Sequence, residues 1–259
     1  MSRADITALL PDLPRWVELR SSLLAGRAEV LGLSLHPFAC AVADPSFRSA
    51  CVAGRPPYEA IGEAAALAGP GGSVIAPPES RDWVAGALPE LRVERAVLHV
   101  LGSEPRLPEL ARGQVRHLAA EEVAALEHVP AALREELLGV AAVGIRIAAA
   151  IADGTAVAFC YAGAETESLW DVSIDTLEPW RGRGFAARAV AFEVERFRGL
   201  GQRPVWGAAE SNAASRALAQ KLGFVPTGEI WLFTEPDGSA LPLIQASQST
   251  TPRRRRTPA

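Results

Sequence analysis

The segment WRGRGFAARAV, residues 180–190, has the composition of an anion-binding turn. Gly182 and Gly184 are separated by one residue, Arg181 and Arg183 alternate with them, and small and apolar residues follow. Where such a turn leads from a strand into a helix, the first backbone N–H groups of the helix have no intrahelical partner and can bind an anion. Glycine lets the anion approach the backbone, and arginine adds positive charge. The pattern predicts a phosphate-binding turn, which a diphosphate fits better than a carboxylate does.

Two other interpretations of this turn are open. Residues 182–187, GRGFAA, also satisfy the G-x-G-x-x-[G/A] pattern of dinucleotide-binding folds, and Glu210 ends the next strand where a ribose-binding acid would lie. However, that fold begins on a buried, apolar parallel strand, whereas the strand before this turn carries Asp171 and Asp175. It also needs further β-α repeats, and this region offers one. The third interpretation, a solvated arginine turn, does not account for two glycines between a strand and a helix.

The elements around the turn follow from hydrophobic periodicity and turn residues. A strand over residues 167–176 leads into the turn, a helix over 186–200 follows it, and Asp153-Gly154 joins two earlier apolar strands as a hairpin. From residue 114 the predicted order is β-α-α-β-β-β-α-β-α-β-β. Antiparallel hairpins on each side of one β-α-β crossover predict a mixed α/β (α+β) fold with helices on both faces of its sheet. The later elements are expected at 203–209 (strand), 212–222 (helix), 229–234 (strand) and 241–245 (strand).

The first hundred residues also alternate between helices and strands, without a motif that carries chemistry. The proline-rich stretch SEPRLPELARG, residues 103–113, marks the predicted boundary between two domains. We therefore expect an N-terminal α/β domain over residues 1–112, a second domain over 113–247 and a disordered arginine-rich tail over 248–259. In the first domain, helices are expected near residue 14 and at 58–69 and 81–88, and strands at 38–43, 49–54, 73–77 and 94–102.

Composition excludes several classes of protein. The 259 residues are 49% hydrophobic and 22% charged, as in ordinary globular proteins, and no apolar run reaches the ~18 residues of a membrane span. We expect a cytoplasmic protein, because the N-terminus is polar and proline-containing where a signal peptide would be apolar. Three scattered cysteines and four scattered histidines predict no disulfide framework and no metal site. The net charge is −4, or −8 without Arg253–Arg256, so nucleic acid is not an expected partner.

Two segments resemble motifs of the GCN5-related N-acetyltransferases (GNATs). TLEPWRGRGFAARAV resembles the family's acetyl-coenzyme A motif, [Q/R]-x-x-G-x-[G/A], and NAASRALAQKLGFVPTGE resembles a second motif, in which an asparagine opens a helix that ends in K-L-G-F. The element order also agrees with the family from about residue 114 to 246. The matching residues are Arg181, Gly184 and Ala186 in the first motif, and Asn212, Lys221, Leu222, Gly223 and Phe224 in the second.

The resemblance implies a GNAT-like, mostly antiparallel sheet and acetyl-CoA as the acyl donor. The N-terminal domain is similar to a degenerate copy of the same fold. The backbone of Ile174, Asp175 and Thr176 would pair with the pantetheine arm like an added strand. Asn212 would bind the pantetheine arm as well as cap its helix, and Ser215 would face the same ligand. The residues implied in holding the diphosphate are Arg181, Gly182, Arg183, Gly184, Phe185, Ala186 and Ala187.

The resemblance also implies direct transfer of an acetyl group to a primary amine, on a small molecule or a peptide. The candidate general bases are Asp171, Asp175 and Glu210, and these carboxylates on an acidic protein favour a cationic or zwitterionic acceptor. Many family members have a tyrosine, as general acid, four residues before the glycine of K-L-G-F. This chain has Ala219 there. The alternative is therefore a non-catalytic acyl-CoA-binding regulatory module. Homo-oligomer formation is left open.

Overall fold

A computed structural model describes residues 2–236. The predicted strand at 241–245 and the predicted tail at 248–259 lie outside the described residues. Each predicted helix has a counterpart among the described residues, and one helix at the N-terminus was not expected. The helices are α1 (Arg3–Ala8), α2 (Val17–Leu24), α3 (Tyr58–Ala68), α4 (Arg81–Ala87), α5 (Ala120–Ala124), α6 (Ala131–Ala142), α7 (Phe185–Gly199) and α8 (Ala213–Lys221).

The strands also follow the predicted order, with an additional first strand that was not expected. They are β1 (Glu29–Leu35), β2 (Phe38–Asp44), β3 (Ser49–Ala53), β4 (Ser73–Ala76), β5 (Arg92–Leu101), β6 (Val115–His117), β7 (Ala148–Ala152), β8 (Thr155–Glu165), β9 (Leu169–Thr176), β10 (Arg203–Ala209) and β11 (Phe224–Thr234). Asp153, at a positive φ of 50°, and Gly154 form the turn between β7 and β8, as the hairpin pattern predicts.

All described strands join one 11-stranded sheet in the order β1-β2-β3-β4-β11-β5-β10-β9-β8-β7-β6. Two of its pairings are parallel, β3 with β4 and β9 with β10, and the others are antiparallel. The order is nearly symmetric about the β11–β5 pair. Each half of the chain places its last strand between two strands of the other half: β5 lies between β11 and β10, and β11 lies between β4 and β5. The predicted boundary at residues 103–113 therefore divides the chain at a loop, while the sheet continues across it.

Helices cover both faces of this sheet, as expected. We call the face covered by α3, α4, α7 and α8 the outer face, and the face covered by α1, α2, α5 and α6 the inner face. Under α7 the strands present small side chains, among them the buried Ala148, Ala150 and Ala158. Alanine at these positions lets α7 lie close to the sheet. Larger side chains of the helix, such as Phe197, fill the remaining space between α7 and the strands.

A buried polar cluster joins the first helices to the second half of the chain. Arg20 on α2 is 6% exposed and donates hydrogen bonds to the carbonyl oxygens of Thr7 and Leu10 and to Glu167 Oε1, at 2.6 Å. Asp12 accepts a hydrogen bond from the Thr166 hydroxyl at 2.8 Å. Because buried polar groups need partners, these bonds fix the position of α1 and α2 against the turn between β8 and β9.

This sheet decides between the interpretations of the glycine turn at the level of the fold. A dinucleotide-binding fold needs a run of adjacent parallel strands around its cofactor, whereas β9 pairs in parallel with β10 alone and antiparallel with β8. The mixed, mostly antiparallel sheet agrees with the GNAT-like fold that the sequence resemblance implies. Among the described residues, no helix has the length and apolar character that a membrane span requires.

Candidate active site

The glycine turn adopts the conformation that an anion-binding helix start requires. Gly182 and Gly184 have φ of 73° and 82°, and Gly184 directly precedes the first helical residue, Phe185. A Cβ built on either glycine would meet no atom within 4 Å. Glycine is therefore required here by backbone conformation and leaves open space above the turn. The first intrahelical bond at this end is donated by Arg188 N, so the N–H groups of the three residues before it are available to a ligand.

Both arginines of the turn are held by neighbouring groups. The Nε of Arg181 donates a hydrogen bond to the carbonyl oxygen of Thr176 at 3.2 Å, which ties the turn to the end of β9. The guanidinium of Arg183 lies 4.5 Å from the ring centre of Trp180 and 5.6 Å from that of Phe185. These cation–π contacts orient its positive charge at the turn.

A groove of about 340 Å³ runs from this turn between α7 and α8. Nine of the residues predicted to bind the cofactor line it: Ile174, Thr176, Arg181, Gly182, Gly184, Phe185, Ala186, Ala187 and Ser215. Asp175 and Arg183 lie next to these residues in sequence, and Asn212 lies three residues before Ser215, but these three do not line the groove. The sequence interpretation did not include five other lining residues: Trp180, Ala214, Ala217, Leu218 and Lys221. Four of them recur at helical spacing on α8, a signal that was present in the sequence.

The floor of the groove is a gap between the two parallel strands. β9 and β10 pair only from Leu169 to Asp171 and from Arg203 to Val205. Beyond these pairs, β9 continues to Thr176 and remains paired with β8. Within the described residues, no strand pairs with the other edge of β9 over this stretch. Its backbone N–H and C=O groups can therefore bind an extended ligand that carries amide groups.

Asn212 and Ser215 connect the start of α8 to β10. Asn212 is 5% exposed, and its Oδ1 accepts a hydrogen bond from Ser215 N at 3.0 Å, so it caps the helix as the sequence predicts. The Ser215 hydroxyl oxygen accepts a hydrogen bond from Trp206 Nε1 at 2.8 Å. Trp206 is the first residue of β10 beyond the stretch paired with β9. Ser215 is therefore fixed where the gap opens.

Two of the predicted bases lie on the inner face of β9. Trp170, Val172 and Ile174 pack in the core under α7, so Asp171 and Asp175 point to the opposite side. They are 3% and 8% exposed. Burial raises the pKa of both carboxyl groups well above the usual value. Repulsion from Glu18 raises that of Asp171 further, and repulsion from Glu136 that of Asp175, whereas the Gly207 amide and Arg181, respectively, oppose the shifts.

Three further inner-face groups belong to this acidic region and were not predicted from the sequence. Tyr161 on β8 is fully buried, lies opposite Ser173 of β9 and donates a hydrogen bond to Glu136 Oε1 on α6. Burial raises the pKa of Glu136 to about 7, and that of Glu18 on α2 also to about 7. The signal for Tyr161 was a polar group in the otherwise apolar strand TAVAFCYAG. The glutamates resemble ordinary helix-surface residues in sequence.

Glu210, the third predicted base, has a different environment. Its carboxylate forms an ion pair with Arg95 NH1 at 2.7 Å, and Arg95 Nε also pairs with Glu229 at 2.6 Å. By strand alternation from Ala208, which packs under α7 and α8, Glu210 belongs to the outer face. The structure therefore brings Asp171 and Asp175 together on one face and places Glu210 in a separate ion-pair cluster.

A strand-to-helix turn in the first half of the chain has its carbonyl groups bonded within the protein. Between β3 and α3, the carbonyl oxygen of Gly54 accepts a hydrogen bond from the Ser80 hydroxyl at 2.7 Å, and that of Pro56 accepts one from Trp83 Nε1 at 2.7 Å. Pro56 and Pro57 have no N–H groups to offer an anion. This turn therefore lacks the features that make residues 181–187 an anion site.

Comparisons with known proteins agree with this geometry. Residues 142–233 match a family model described as GNAT acetyltransferase. Similar solved structures include a GCN5-related N-acetyltransferase-like protein from Streptococcus suis, at 15% identity and a TM-score of 0.61 over 89% of this chain and 96% of that one. A GCN5-related N-acetyltransferase from Kribbella flavida has 16% identity and a TM-score of 0.53 over 91% and 96% of the two chains.

A tandem GNAT protein from the clavulanic acid biosynthesis pathway is also similar, at 14% identity and a TM-score of 0.50 over 83% of this chain and 86% of that one. A search of curated proteins finds no match. At these identities the solved structures establish the fold, and the family model adds the match over residues 142–233. The resemblance to the GNAT family and the GNAT-like fold, both predicted from the sequence, are therefore confirmed.

Proposed function

We propose that this protein transfers an acetyl group from acetyl-CoA to a primary amine. The observation that carries the proposal is the groove of residues 174–221, where a glycine turn at a helix start meets a gap between two parallel strands. A diphosphate suits the free N–H groups and guanidinium charge at one end. A chain of amides suits the unpaired edge of β9 at the other. Acetyl-CoA combines these groups and supplies an activated thioester.

The carboxyl groups on the inner face are suited to accept the proton of the amine. A general base works best when its pKa lies near the working pH, and burial raises the pKa of Asp171 and Asp175 toward that range. Both residues lie on the strand that borders the gap. We assign the base to this pair and not to Glu210, because Arg95 already neutralises the Glu210 carboxylate.

The same carboxyl groups favour a cationic or zwitterionic acceptor. On the inner face, Glu18 repels Asp171 and Glu136 repels Asp175. Binding an ammonium group there would offset that repulsion, whereas an anionic acceptor would add to it. Glu18 belongs to the first half of the chain, which is proposed to be a copy of the fold that has lost its own cofactor site and now covers the acceptor side.

Ala219 favours a second candidate function, an acyl-CoA-binding regulatory module without turnover. Its side chain is fully buried in the core beneath α8 and brings no acid to the groove. Both functions predict acetyl-CoA binding, and they differ in whether product forms.

Calorimetric titration with acetyl-CoA, followed by turnover with matched cationic and anionic amines at low and high salt, tests the proposal. Binding with turnover of the cationic series supports the transferase. Binding without turnover of any amine supports the regulatory module. Folded protein that binds no acetyl-CoA at millimolar concentration contradicts both, and binding of NAD in its place would support the dinucleotide interpretation.

A further inference from the structure

A second cavity lies on the other side of α8 from the groove, between this helix and the outer-face side chains of β5 and β11. Its volume is about 540 Å³, which is enough to hold a small molecule. Arg216 and Gln220 of α8 line this cavity, whereas Leu218 and Lys221 of the same helix line the groove. Helix α8 therefore separates the two sites.

Arg216 brings to this cavity a positive charge that has no partner among residues 2–236. Its Nε is shielded from solvent and has no hydrogen-bond partner there, and none of the ion pairs of these residues includes it. The carboxylate of Glu210, which also lines the cavity, is paired with Arg95 NH1 at 2.7 Å. Because polar groups that are shielded from water are nearly always hydrogen-bonded, the unpaired guanidinium indicates an anion that binds in the cavity.

His99 lines the same cavity and is uncharged. The residue is 6% exposed, and its Nδ1 lies 3.2 Å from the carbonyl oxygen of Trp206. A carbonyl oxygen can only accept a hydrogen bond, so Nδ1 carries a proton. Burial lowers the pKa of His99 and repulsion from Arg216 also lowers it, whereas hydrogen bonds to the backbone of Trp206 and Val97 act in the opposite direction. The imidazole is therefore neutral at physiological pH, and the guanidinium of Arg216 lies close enough to sense it.

The rest of the cavity combines apolar side chains with an acidic edge. The apolar lining residues are Val97, Ala213, Ala217, Phe224 and Pro226. At the edge, Arg95 pairs with both Glu210 and Glu229, so this cluster carries one net negative charge. It would repel a doubly charged phosphate more strongly than a singly charged carboxylate. The lining therefore favours a carboxylate group on an apolar body.

We propose that this cavity binds a small apolar carboxylic acid in its anionic form, at a site separate from the acetyl-CoA groove. The guanidinium of Arg216 pairs with the carboxylate, because its N–H groups match the two oxygens of that group. The apolar part of the ligand contacts Val97 and Phe224, which removes apolar surface from water. This site adds a second ligand to the proposed acyl transfer, and its occupancy can be measured without acetyl-CoA.

Calorimetric titration of the full chain with benzoate tests the proposal, with benzamide as the matched uncharged compound and inorganic phosphate as the other anion. We expect benzoate to bind more tightly than either. Arg216→Gln should raise the Kd of benzoate by a factor of about 10–100, because it removes a charge-assisted hydrogen bond. The control Arg198→Gln removes an exposed arginine of α7, outside the cavity, and should leave this Kd unchanged.

A second variant and a second measurement test the position of the ligand. Ala213→Phe keeps Arg216 and fills the cavity from an exposed position at the start of α8, so it should also weaken benzoate binding. In the wild type, benzoate beside Arg216 should offset the repulsion on His99 and raise the pKa of its imidazole, measured by NMR on a signal that His99→Gln lacks.

Four results would overturn the proposal. They are absence of benzoate binding at millimolar concentration, equal affinity for benzoate and benzamide, an unchanged benzoate Kd in Arg216→Gln or Ala213→Phe, and an unchanged His99 pKa on binding. Tighter binding of phosphate than of benzoate would overturn the assignment to a carboxylic acid.

Discussion

Replacing Gly184 with glutamate should abolish cofactor binding and leave the protein folded. The new side chain would start from the last residue before α7 and place a carboxylate among the N–H groups and arginines that we assign to the diphosphate. Gly144 offers a matched control. It has the same φ of 82°, no atom within 4 Å of a built Cβ, and lies after α6, away from the groove.

The expected loss of affinity follows from the charges involved. Two unit charges about 4 Å apart repel by roughly 1 kcal/mol in water and roughly 4 kcal/mol near a protein surface. Since the groove is open to solvent on one side, we expect a total of about 2–4 kcal/mol from the diphosphate. That corresponds to a Kd for acetyl-CoA about 30 to 1,000 times higher in Gly184→Glu than in the wild type.

The expected loss of stability is smaller for Gly184→Glu than for the control. A non-glycine residue at this φ costs about 1–2 kcal/mol. A carboxylate at the start of α7 regains about 0.3–1 kcal/mol from the helix dipole, whereas one at the end of α6 loses a similar amount. Each kcal/mol lowers Tm by about 2–4 °C in a protein of this size. Gly144→Glu should therefore melt at the lower temperature and still bind acetyl-CoA.

Calorimetric Kd values and melting curves of both variants, side by side, measure these two effects. Wild-type affinity in Gly184→Glu would refute the assignment of this turn as the diphosphate site. Equal weakening in both variants would show that backbone strain, and not the position of the new charge, causes the loss.

Three further predictions address other parts of the molecule. Glu136 has a pKa of about 7 in the folded state and about 4.5 in the unfolded state, so between these pH values it binds a proton only when the protein is folded. The free energy of unfolding should therefore fall by up to about 3 kcal/mol as pH rises through this window. Urea unfolding at pH 5 and pH 7.5 should show a smaller fall in Glu136→Gln than in the wild type, and an equal fall would contradict the pKa shift. Arg20→Met should lower the free energy of unfolding by about 2–4 kcal/mol, because it leaves buried carbonyl groups without a hydrogen-bond donor. The control Arg15→Met removes an exposed ion pair with Glu79 and should cost less than about 1 kcal/mol. Equal losses in the two variants would refute the role of the buried cluster. Lys221, the lysine that lines the groove, should react more slowly with an amine-reactive reagent when acetyl-CoA is present, as followed by peptide mass spectrometry, and an unchanged rate would place the ligand elsewhere.

The secondary structure was largely predictable because its signals are local. The hairpin at Asp153-Gly154 and the start of α7 after Gly184 depend on residues within a few positions of each other. The position of β5 was not predictable in the same way. Its sequence, RVERAVLHVL, shows a strand, but its two neighbours in the sheet, β10 and β11, lie more than 100 residues further along the chain. Pairing over such a separation leaves no pattern in one sequence.

The two sides of the candidate site also differ in whether their residues are close together in the sequence. The turn of residues 181–187 and the cap at Asn212 form continuous motifs, so their residues were identified from the sequence. The inner-face groups come from separate elements: Glu18 from α2, Glu136 from α6 and Tyr161 from β8. Each has an ordinary role when its own element is considered alone. Only the folded sheet shows that Glu18 acts on Asp171 and Glu136 on Asp175.

The exchange of strands also bears on how the first half of the chain contributes to the site. The gap that forms the floor of the groove requires β10 to diverge from β9 after Val205. From Val205 to Ala209, β10 is paired along its other edge with Val100 to Ala96 of β5. β5, which fixes the direction of β10 beyond Val205, therefore belongs to the first half of the chain. The first half of the chain thus contributes to the site through the pairing of β5 with β10.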